Sequence, residues 1–427
     1  MRLATSYFKP SYFIPSWALF RENLKRFWAV PALGMLCWFF AGIFPILVDE
    51  NENLRQWLRM ASEMRHPGFI IFTPIFPLMA SAAALRYLFS PGAVAAMHKL
   101  PLTRGRLYCT SFVFSSAASL APAAVTYLVL ALAGAGEGYG MLPAFAMTLL
   151  LTLFYTALFH VAAMLTGNSV MHLGACAFLS FALPALVLLV GVYCQTLLFG
   201  YDGSASLELF AARSVPLLYF IDDGWRSVGW LASYILAVPA LYAAGAALYA
   251  RRPLERAGDS IVFPFFETIF TFVIAFAGMT LLSALFDAAG WGYFPLNLGL
   301  VLGAAVCFLM ARMVSKKSLR VFNKSTLAHG GAYAVAAALL LGVLSFDLVG
   351  YEPRVPSPER VLSAHLSRSF IPQLSHRYIY GYKTSYNDAF AFTEPENINA
   401  MTELHRSITE LRDSDIYEYN GINGLST

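Results

Sequence analysis

The chain has 427 residues, of which 58% are hydrophobic and only 13% are charged. Soluble domains carry about 25% charged residues, so the composition excludes an ordinary soluble fold and favours a protein embedded in a membrane. The net charge is only +4, and the basic residues are explained by their loop positions, which leaves nucleic-acid binding without support.

Nine apolar stretches can cross a bilayer as helices, which takes roughly twenty residues each. They are continuous apolar runs and lack the alternation of barrel strands. We therefore predict an all-α polytopic membrane protein with about nine transmembrane helices. The predicted spans are Phe27–Val48, Gly68–Leu85, Leu107–Leu132, Leu142–Leu165, Gly174–Phe199, Val228–Ala250, Ile261–Phe286, Tyr293–Ala311 and Gly330–Phe346.

The lysines and arginines that flank these spans predict the orientation. With a cytoplasmic N-terminus, seventeen of these bases flank the inner ends of the spans and only five lie in the outer loops. This distribution favours a cytoplasmic N-terminus, and nine spans then place the C-terminal segment outside.

The N-terminal segment 1–26 is predicted to be a cytoplasmic amphipathic segment. Its aromatic residues and bases suit a helix that lies on the inner membrane surface. Pro10 and Pro15 interrupt that pattern, so an irregular juxtamembrane anchor remains an equal alternative.

Three further parts follow along the chain. They are a six-helix core (27–250), three additional transmembrane helices (251–347) and an extracellular C-terminal domain (348–427). The long outer loop Gly200–Arg226 is partly apolar, which suits either a re-entrant hairpin or an ordinary surface loop.

The C-terminal domain is predicted to be small and α+β. Arg377–Phe392 alternates aromatic and polar residues, as a strand does. Thr393 with Glu396 three residues later has the pattern of a capping box that begins a helix. The last stretch, 413–427, follows no complete pattern, which favours half of a larger module or a truncated chain.

The loop between the second and third spans carries the most specific local pattern. Ser90 can cap a helix with Pro91 at its first position. The pair Leu100-Pro101 would end that helix, because proline pushes the residue before it out of helical angles. We predict a short cytoplasmic helix here; a plain surface loop is the alternative.

The run Met97-His98-Lys99-Leu100-Pro101-Leu102-Thr103-Arg104 resembles the SLP-[VL]-[ST]-R loop of permease subunits of type-2 ABC exporters, with His98-Lys99 in place of the commoner small residue. In that family this loop holds the coupling helix that docks on the ATP-hydrolysing subunit. The residues to which the resemblance assigns docking are Val94, Met97, His98, Lys99, Leu100, Pro101, Thr103 and Arg104.

A second segment, Phe346–Pro356, resembles the start of an external domain found in some such permeases of Gram-positive bacteria, often in operons that respond to cell-wall antibiotics. The resemblance implies a multi-pass protein of the bacterial cell membrane that exports or handles an amphiphilic substrate, such as a lipid-like compound, an antibiotic or a peptide.

The chain contains no GxxxxGK[ST] loop, so any ATPase is expected on a separate subunit. A second permease copy or a paralogue would complete the transport pathway, and the lipid bilayer surrounds both. We predict no enzyme activity, catalytic residue, metal site or cofactor in this chain, with ATP bound by the partner.

Ionisable residues within membrane spans are costly and often functional, and this chain has two candidates. Glu267 lies near the inner end of the seventh span. We predict a structural ion pair with Arg251 or Arg252 and keep a transport role as the alternative. His160 is predicted to be a hydrogen-bonded residue between helices, with a functional role as the alternative.

Two other functions stay open. A secondary transporter often has broken helices and midplane ionisable groups. Pro122, Pro184 and Pro239 could break helices, but no carboxylate relay is evident. A membrane-anchored sensor or enzyme would act through the external domain. The candidate residues there are His365, His376, Asp388 and His405, which no motif spacing connects.

Overall fold

The computed structural model describes residues 14–48, 52–63, 66–133, 140–198, 200–201, 204–222, 228–288, 293–362, 364–365 and 391–410. Within these ranges, nine helices are long and apolar enough to cross a membrane. This confirms the predicted all-α polytopic architecture.

The helices are numbered here in chain order. The nine long helices are α2, α4, α6, α7, α8, α11, α12, α13 and α14. The bounds are α1 Trp17–Arg26, α2 Ala29–Val48, α3 Glu52–Ser62, α4 Pro67–Ala84, α5 Pro91–His98, α6 Arg104–Ala133, α7 Met141–Leu165, α8 Ser169–Leu197, α9 Ser204–Ser214, α10 Pro216–Asp222, α11 Val228–Arg251, α12 Pro264–Ala288, α13 Tyr293–Lys316, α14 Lys324–Ser345 and α15 Pro395–Glu410.

Most helix ends lie within a few residues of the predicted ends. The largest differences are at the start of α14 (Lys324 instead of Gly330), at the start of α8 (Ser169 instead of Gly174) and at the end of α13. Helix α13 continues past the predicted end at Ala311 to Lys316, because long basic side chains can extend a helix beyond its apolar stretch. Helix α12 begins at Pro264 instead of Ile261, because Ile261 forms an antiparallel bridge with Thr166.

The contacts divide the chain into two units, and the first comprises residues 1–185 and 212–329. Its core lies between α2, α4, α6, α7 and α11. Trp38 of α2 stacks on Phe69 of α4 with ring centres 4.7 Å apart, and Phe69 contacts Tyr127 of α6 at 5.5 Å. Small residues let the neighbouring helices approach closely: Ala118 of α6 packs with Ala80 of α4. These small residues of α4 and α6 therefore pack against each other within the chain.

Helix α1 begins at Trp17, two residues after Pro15, and the Ser16 N–H donates to Thr110 Oγ1 at 2.8 Å. The helical interpretation of the N-terminal segment is thus confirmed from Trp17 onwards; residues 1–13 lie outside the described part. The loop Gly200–Arg226 folds into the short helices α9 and α10, and its entry into a membrane stays a prediction.

Helices α12 and α13 form a tightly packed antiparallel hairpin. Gly299 and Gly303 form a GxxxG pattern, which permits close helix packing. A Cβ at Gly303 would collide with the backbone of Gly278, and one at Gly299 would lie 2.9 Å from the Leu282 carbonyl oxygen. The hairpin therefore depends on the absence of side chains at its centre.

We expect Gly303→Leu to force α12 and α13 apart. Overpacking a close interface costs about 1–3 kcal/mol, and here backbone atoms block the new side chain. The unfolding temperature of the purified protein should fall accordingly. Gly331→Leu is the matched control, because nothing lies within 4 Å of a Cβ at Gly331. An equal fall in both variants would contradict the close-packing argument.

The second unit comprises residues 186–211 and 330–427. After α14, both carboxylate oxygens of Asp347 accept backbone N–H bonds, from Tyr351 and Glu352, at 2.8 and 2.9 Å. Two short antiparallel strands, β1 (Ala364–His365) and β2 (Ala391–Phe392), precede α15.

Helix α15 confirms the helix predicted near Thr393, although the predicted cap is wrong by one residue. The helix begins at Pro395, so Glu394 precedes it, and the Glu394 carbonyl accepts the first helical bond, from the N–H of Ile398 at 3.0 Å. The predicted strand 377–390 and the stretch 413–427 lie outside the described residues.

Candidate docking face

Four segments that connect the long helices meet at one end of the first unit. They are 85–103, which contains α5, and 166–168, 252–263 and 317–323; together they are called the basic face. Backbone bonds join 166–168 to 252–263, and the side chain of Lys317 reaches the Gly258 carbonyl oxygen. The face therefore connects the ends of α4, α7, α11 and α13.

The short helix predicted on this face is confirmed. Helix α5 spans Pro91–His98, Ser90 precedes it in an extended conformation, and Pro91 occupies its first turn. Lys99 ends it just before Leu100-Pro101. The proline signals at both ends thus fixed the bounds of this helix.

One side of α5 is bound to the protein. Val94 is buried, and Met97 packs against a cluster that includes Leu107 and Tyr249. His98 Nδ1 lies 2.9 Å from the Val94 carbonyl oxygen, and Nε2 lies 3.1 Å from the hydroxyl of Tyr249.

The proton positions in this chain of bonds follow from the acceptors. A carbonyl cannot donate, so His98 Nδ1 carries the proton. In the neutral ring Nε2 then accepts from Tyr249, whose oxygen in turn accepts from Tyr87 at 3.0 Å. This relay ties α5 to the end of α11 and to the turn that follows α4.

The other side of α5 is open. Of the residues predicted to dock a partner, Lys99, Leu100, Pro101 and Thr103 are exposed. The side chains of Val94, Met97, His98 and Arg104 contact the protein itself, and their docking role stays a prediction. The open side also includes residues that the sequence did not single out: Pro91, Gly92, Ala95 and Ala96.

Arg104 caps the C-terminus of α11. Its Nη1 atom donates to the carbonyl oxygens of Tyr249, Ala250 and Arg252 at 3.0–3.2 Å. The last carbonyls of a helix have no partner within the helix, and a cation at that end is favourable. Arg104 therefore fixes the direction in which the chain leaves α11.

Arg252 is buried and donates to four backbone carbonyls. Nη1 lies 2.6 Å from Ala163 O and 2.7 Å from Met164 O, and Nη2 lies 2.8 Å from Thr166 O and 3.2 Å from Leu88 O. Burial lowers the pKa of Arg252 to about 10, so the group is charged at neutral pH. This Arg252 joint links the end of α7 to the turn before α5.

The turns 166–168 and 252–263 are also paired through their backbones. Gly258 N–H donates to Gly167 O at 2.7 Å, and Val262 N–H donates to Leu165 O at 2.9 Å. A Cβ at Gly167 would lie 2.5 Å from Asp259 O and 2.6 Å from Arg256 O. Glycine is thus required at position 167, which the sequence alone did not indicate.

Glu267 forms the predicted structural ion pair, but with other partners. Its Oε1 lies 2.6 Å from Nη1 of the buried Arg312, and its Oε2 lies 3.0 Å from Nζ of Lys316. The prediction of Arg251 or Arg252 as the partner is wrong: Arg252 binds carbonyls, and the hairpin brings α13 alongside Glu267. A transport role for Glu267 stays untested.

His160 is fully buried. Its ring packs against another helix, whereas its hydrogen bond is made within its own helix. Its Nδ1 lies 2.8 Å from Thr156 O of the same helix. Its ring contacts Tyr108 and Phe112 of α6 with centres 5.7 and 5.5 Å apart. His160 is thus a buried, hydrogen-bonded residue between α7 and α6, and its bond to Thr156 lies within α7.

Among the described residues, no group of three or more His, Cys, Asp or Glu side chains is arranged to hold a metal ion. All five cysteines are free thiols. No protein-family model matches the chain, and neither a curated protein nor a solved structure shows significant similarity to it.

Proposed function

We propose that this chain is the membrane-spanning permease subunit of an ATP-binding cassette exporter. The observation that carries the proposal is helix α5. It is short, one side is open, and the other is tied through His98 and the Arg252 joint to the ends of α7 and α11. A partner that seats on the open side and moves would displace these helix ends with it.

In this proposal the basic face lies in the cytoplasm of a bacterial cell, and the segment that follows α14 lies outside. The asymmetry of lysine and arginine supports that orientation. ATP is hydrolysed by a separate subunit, and a second permease copy or a paralogue completes the pathway. The chain itself is not an enzyme and binds no cofactor.

The few charges in the spans favour an amphiphilic cargo: a lipid-like compound, an antibiotic or a peptide. The segment after α14 forms the start of a small α+β external domain that binds the cargo or a cell-wall ligand. The pairing of Glu267 with two bases supports this proposal over a secondary transporter, which would need a carboxylate able to release its proton or ion.

A pull-down tests the proposal directly. The full chain is solubilised gently from its native membrane, and the co-purifying proteins are identified. We expect a stoichiometric ATPase that bears a Walker A loop. If the preparation yields intact complexes of other transporters but no ATPase with this chain, the proposal fails and a stand-alone carrier or an external sensor takes its place.

We expect Leu100→Asp to weaken recovery of the ATPase at least tenfold and to abolish cargo-stimulated ATP hydrolysis. The reason is that a buried charge without a partner at an interface costs several kcal/mol. Leu100 is 41% exposed, so the free chain should tolerate the change and insert normally. Co-purified ATPase per chain and stimulated hydrolysis are the measurements.

Leu404→Asp is the matched control for this change. It introduces the same charge at a leucine of α15 that is 43% exposed, away from α5 in the chain. Recovery of the ATPase should stay at the wild-type level in this variant. Unchanged recovery and coupling in Leu100→Asp as well would remove the docking role from α5.

A further inference from the structure

The loop between α13 and α14 combines features that the proposed function does not use. Leu319 and Phe322 are 80% and 79% exposed, and Leu327 in the first turn of α14 is 79% exposed. Lys317 precedes them in the chain, and Arg320 and Lys324 lie between them. Exposed apolar side chains beside cations suit a surface that offers both apolar and anionic groups.

The loop is a defined structure and not a loose connection. Val321 is buried with 1% exposure, although its neighbours on both sides are open. Lys317 adopts a left-handed φ of 52°, and the N–H of Ser318 donates to Met313 O. Asn323 Oδ1 accepts the N–H of Thr326 at 2.9 Å and so caps α14. The exposed side chains are therefore held outward by the fold.

Two of the bases are available to a ligand. Lys316 is taken up by Glu267, and Lys317 contacts the Gly258 carbonyl. The side chains of Arg320 and Lys324 are exposed, and neither forms an ion pair with any residue in the described ranges. Their positive charges lie within a few residues of Leu319 and Phe322.

We propose that residues 317–327 form a binding site for anionic phospholipid at the membrane surface. Arg320 and Lys324 contact the phosphate headgroup, while Leu319, Phe322 and Leu327 enter the outer part of the acyl layer. Bases next to a transmembrane helix attract anionic lipids, and an aromatic or aliphatic neighbour adds apolar burial.

The position of the loop favours lipid over a soluble partner. It directly joins two helices that can span a membrane, from Lys316 to Lys324. A short loop between two spans cannot extend far from the bilayer surface, because each residue covers at most ~3.6 Å. Large apolar side chains there are within reach of the acyl chains. The proposal does not depend on an ATPase partner.

The test uses the detergent-purified full chain and native mass spectrometry. Phosphatidylglycerol and phosphatidylcholine with identical acyl chains are titrated in parallel. We expect the wild-type chain to prefer phosphatidylglycerol. Arg320→Gln with Lys324→Gln should reduce that preference roughly 25-fold, because each base near an anionic surface contributes about fivefold.

Three comparisons make the result specific. Arg360→Gln with Arg406→Gln removes two exposed arginines elsewhere and should leave the preference unchanged. Arg320→Lys with Lys324→Arg keeps both charges and should retain it. Leu319→Ser with Phe322→Ser should weaken the binding of both lipids. Inorganic phosphate should compete poorly with phosphatidylglycerol, because it lacks acyl chains.

Thermal unfolding confirms that each variant is folded. If the double glutamine variant is not, the single variants Arg320→Gln and Lys324→Gln serve as the test, and each should lower the preference about fivefold. Equal binding of the two lipids by the wild-type chain would overturn the proposal. It would also fail if Leu319→Ser with Phe322→Ser lost a co-purifying protein but bound both lipids as tightly as the wild-type chain, since the surface would then dock a protein.

Discussion

Arg252→Met should cost about 3–5 kcal/mol of stability, the range found when one partner of a buried charged contact is removed. The substitution preserves the apolar stem but leaves the carbonyls of Ala163, Met164, Leu88 and Thr166 without their shared donor. Each kcal/mol corresponds to about 2–4 °C in a protein of several hundred residues, so the unfolding temperature should fall by on the order of 10 °C.

The adjacent arginine provides the control for this prediction. Arg251 is exposed, and Arg251→Met should shift the unfolding temperature by only a few degrees. Arg252→Lys should lie between the two, because a lysine cannot present two nitrogens to four carbonyls. A loss in Arg252→Met no larger than in Arg251→Met would show that the carbonyl contacts contribute little.

Glu267→Leu should cost about 3 kcal/mol, near the lower end of the range for a broken buried pair, because Lys316 is half-exposed and can be solvated. The cost arises from Arg312, whose buried guanidinium would lose its carboxylate. Unfolding of the purified chain measures it.

The double variant Glu267→Leu with Arg312→Met separates a structural from a transport role. It removes both charges, so most of the lost stability should return. Glu267→Gln keeps the shape of the side chain and should lower stability without a specific loss of cargo-dependent activity. Abolished activity at an unchanged unfolding temperature would instead assign Glu267 to the transport pathway.

The membrane spans could be predicted because their signal is local. A continuous apolar run of sufficient length has few alternatives in a bilayer, and the structure extends the predicted helices only where polar ends follow, as at Lys316. Helix α5 was predictable for a similar reason, since proline restricts the backbone at its own position and at the one before.

The side of α5 that faces the protein could not be predicted. The helix is short and rich in alanine and glycine, so it has no marked apolar stripe from which to choose a face. Val94 and His98 therefore remained in the predicted docking set, although both contact the protein.

The prediction of the ion-pair partner of Glu267 was wrong for a different reason. The nearest bases in the sequence are Arg251 and Arg252, but the α12–α13 hairpin brings Arg312 opposite Glu267 from a position far along the chain. The alignment of α12 with α13 is set by close packing at glycines of both helices, which cannot be read from either helix alone. The same holds for Gly167, whose constraint comes from the backbone of residues 256–259.

The Arg252 joint has a consequence for the conditions under which the basic face stays rigid. Its acceptors are backbone carbonyls, which neither titrate nor attract mobile counter-ions. Dissolved ions screen exposed charges with a Debye length of about 10 Å at 0.1 M salt, but they screen buried contacts far less. High ionic strength should therefore loosen the exposed Lys316 contact to Glu267 first, while the connection between α5 and α7 persists.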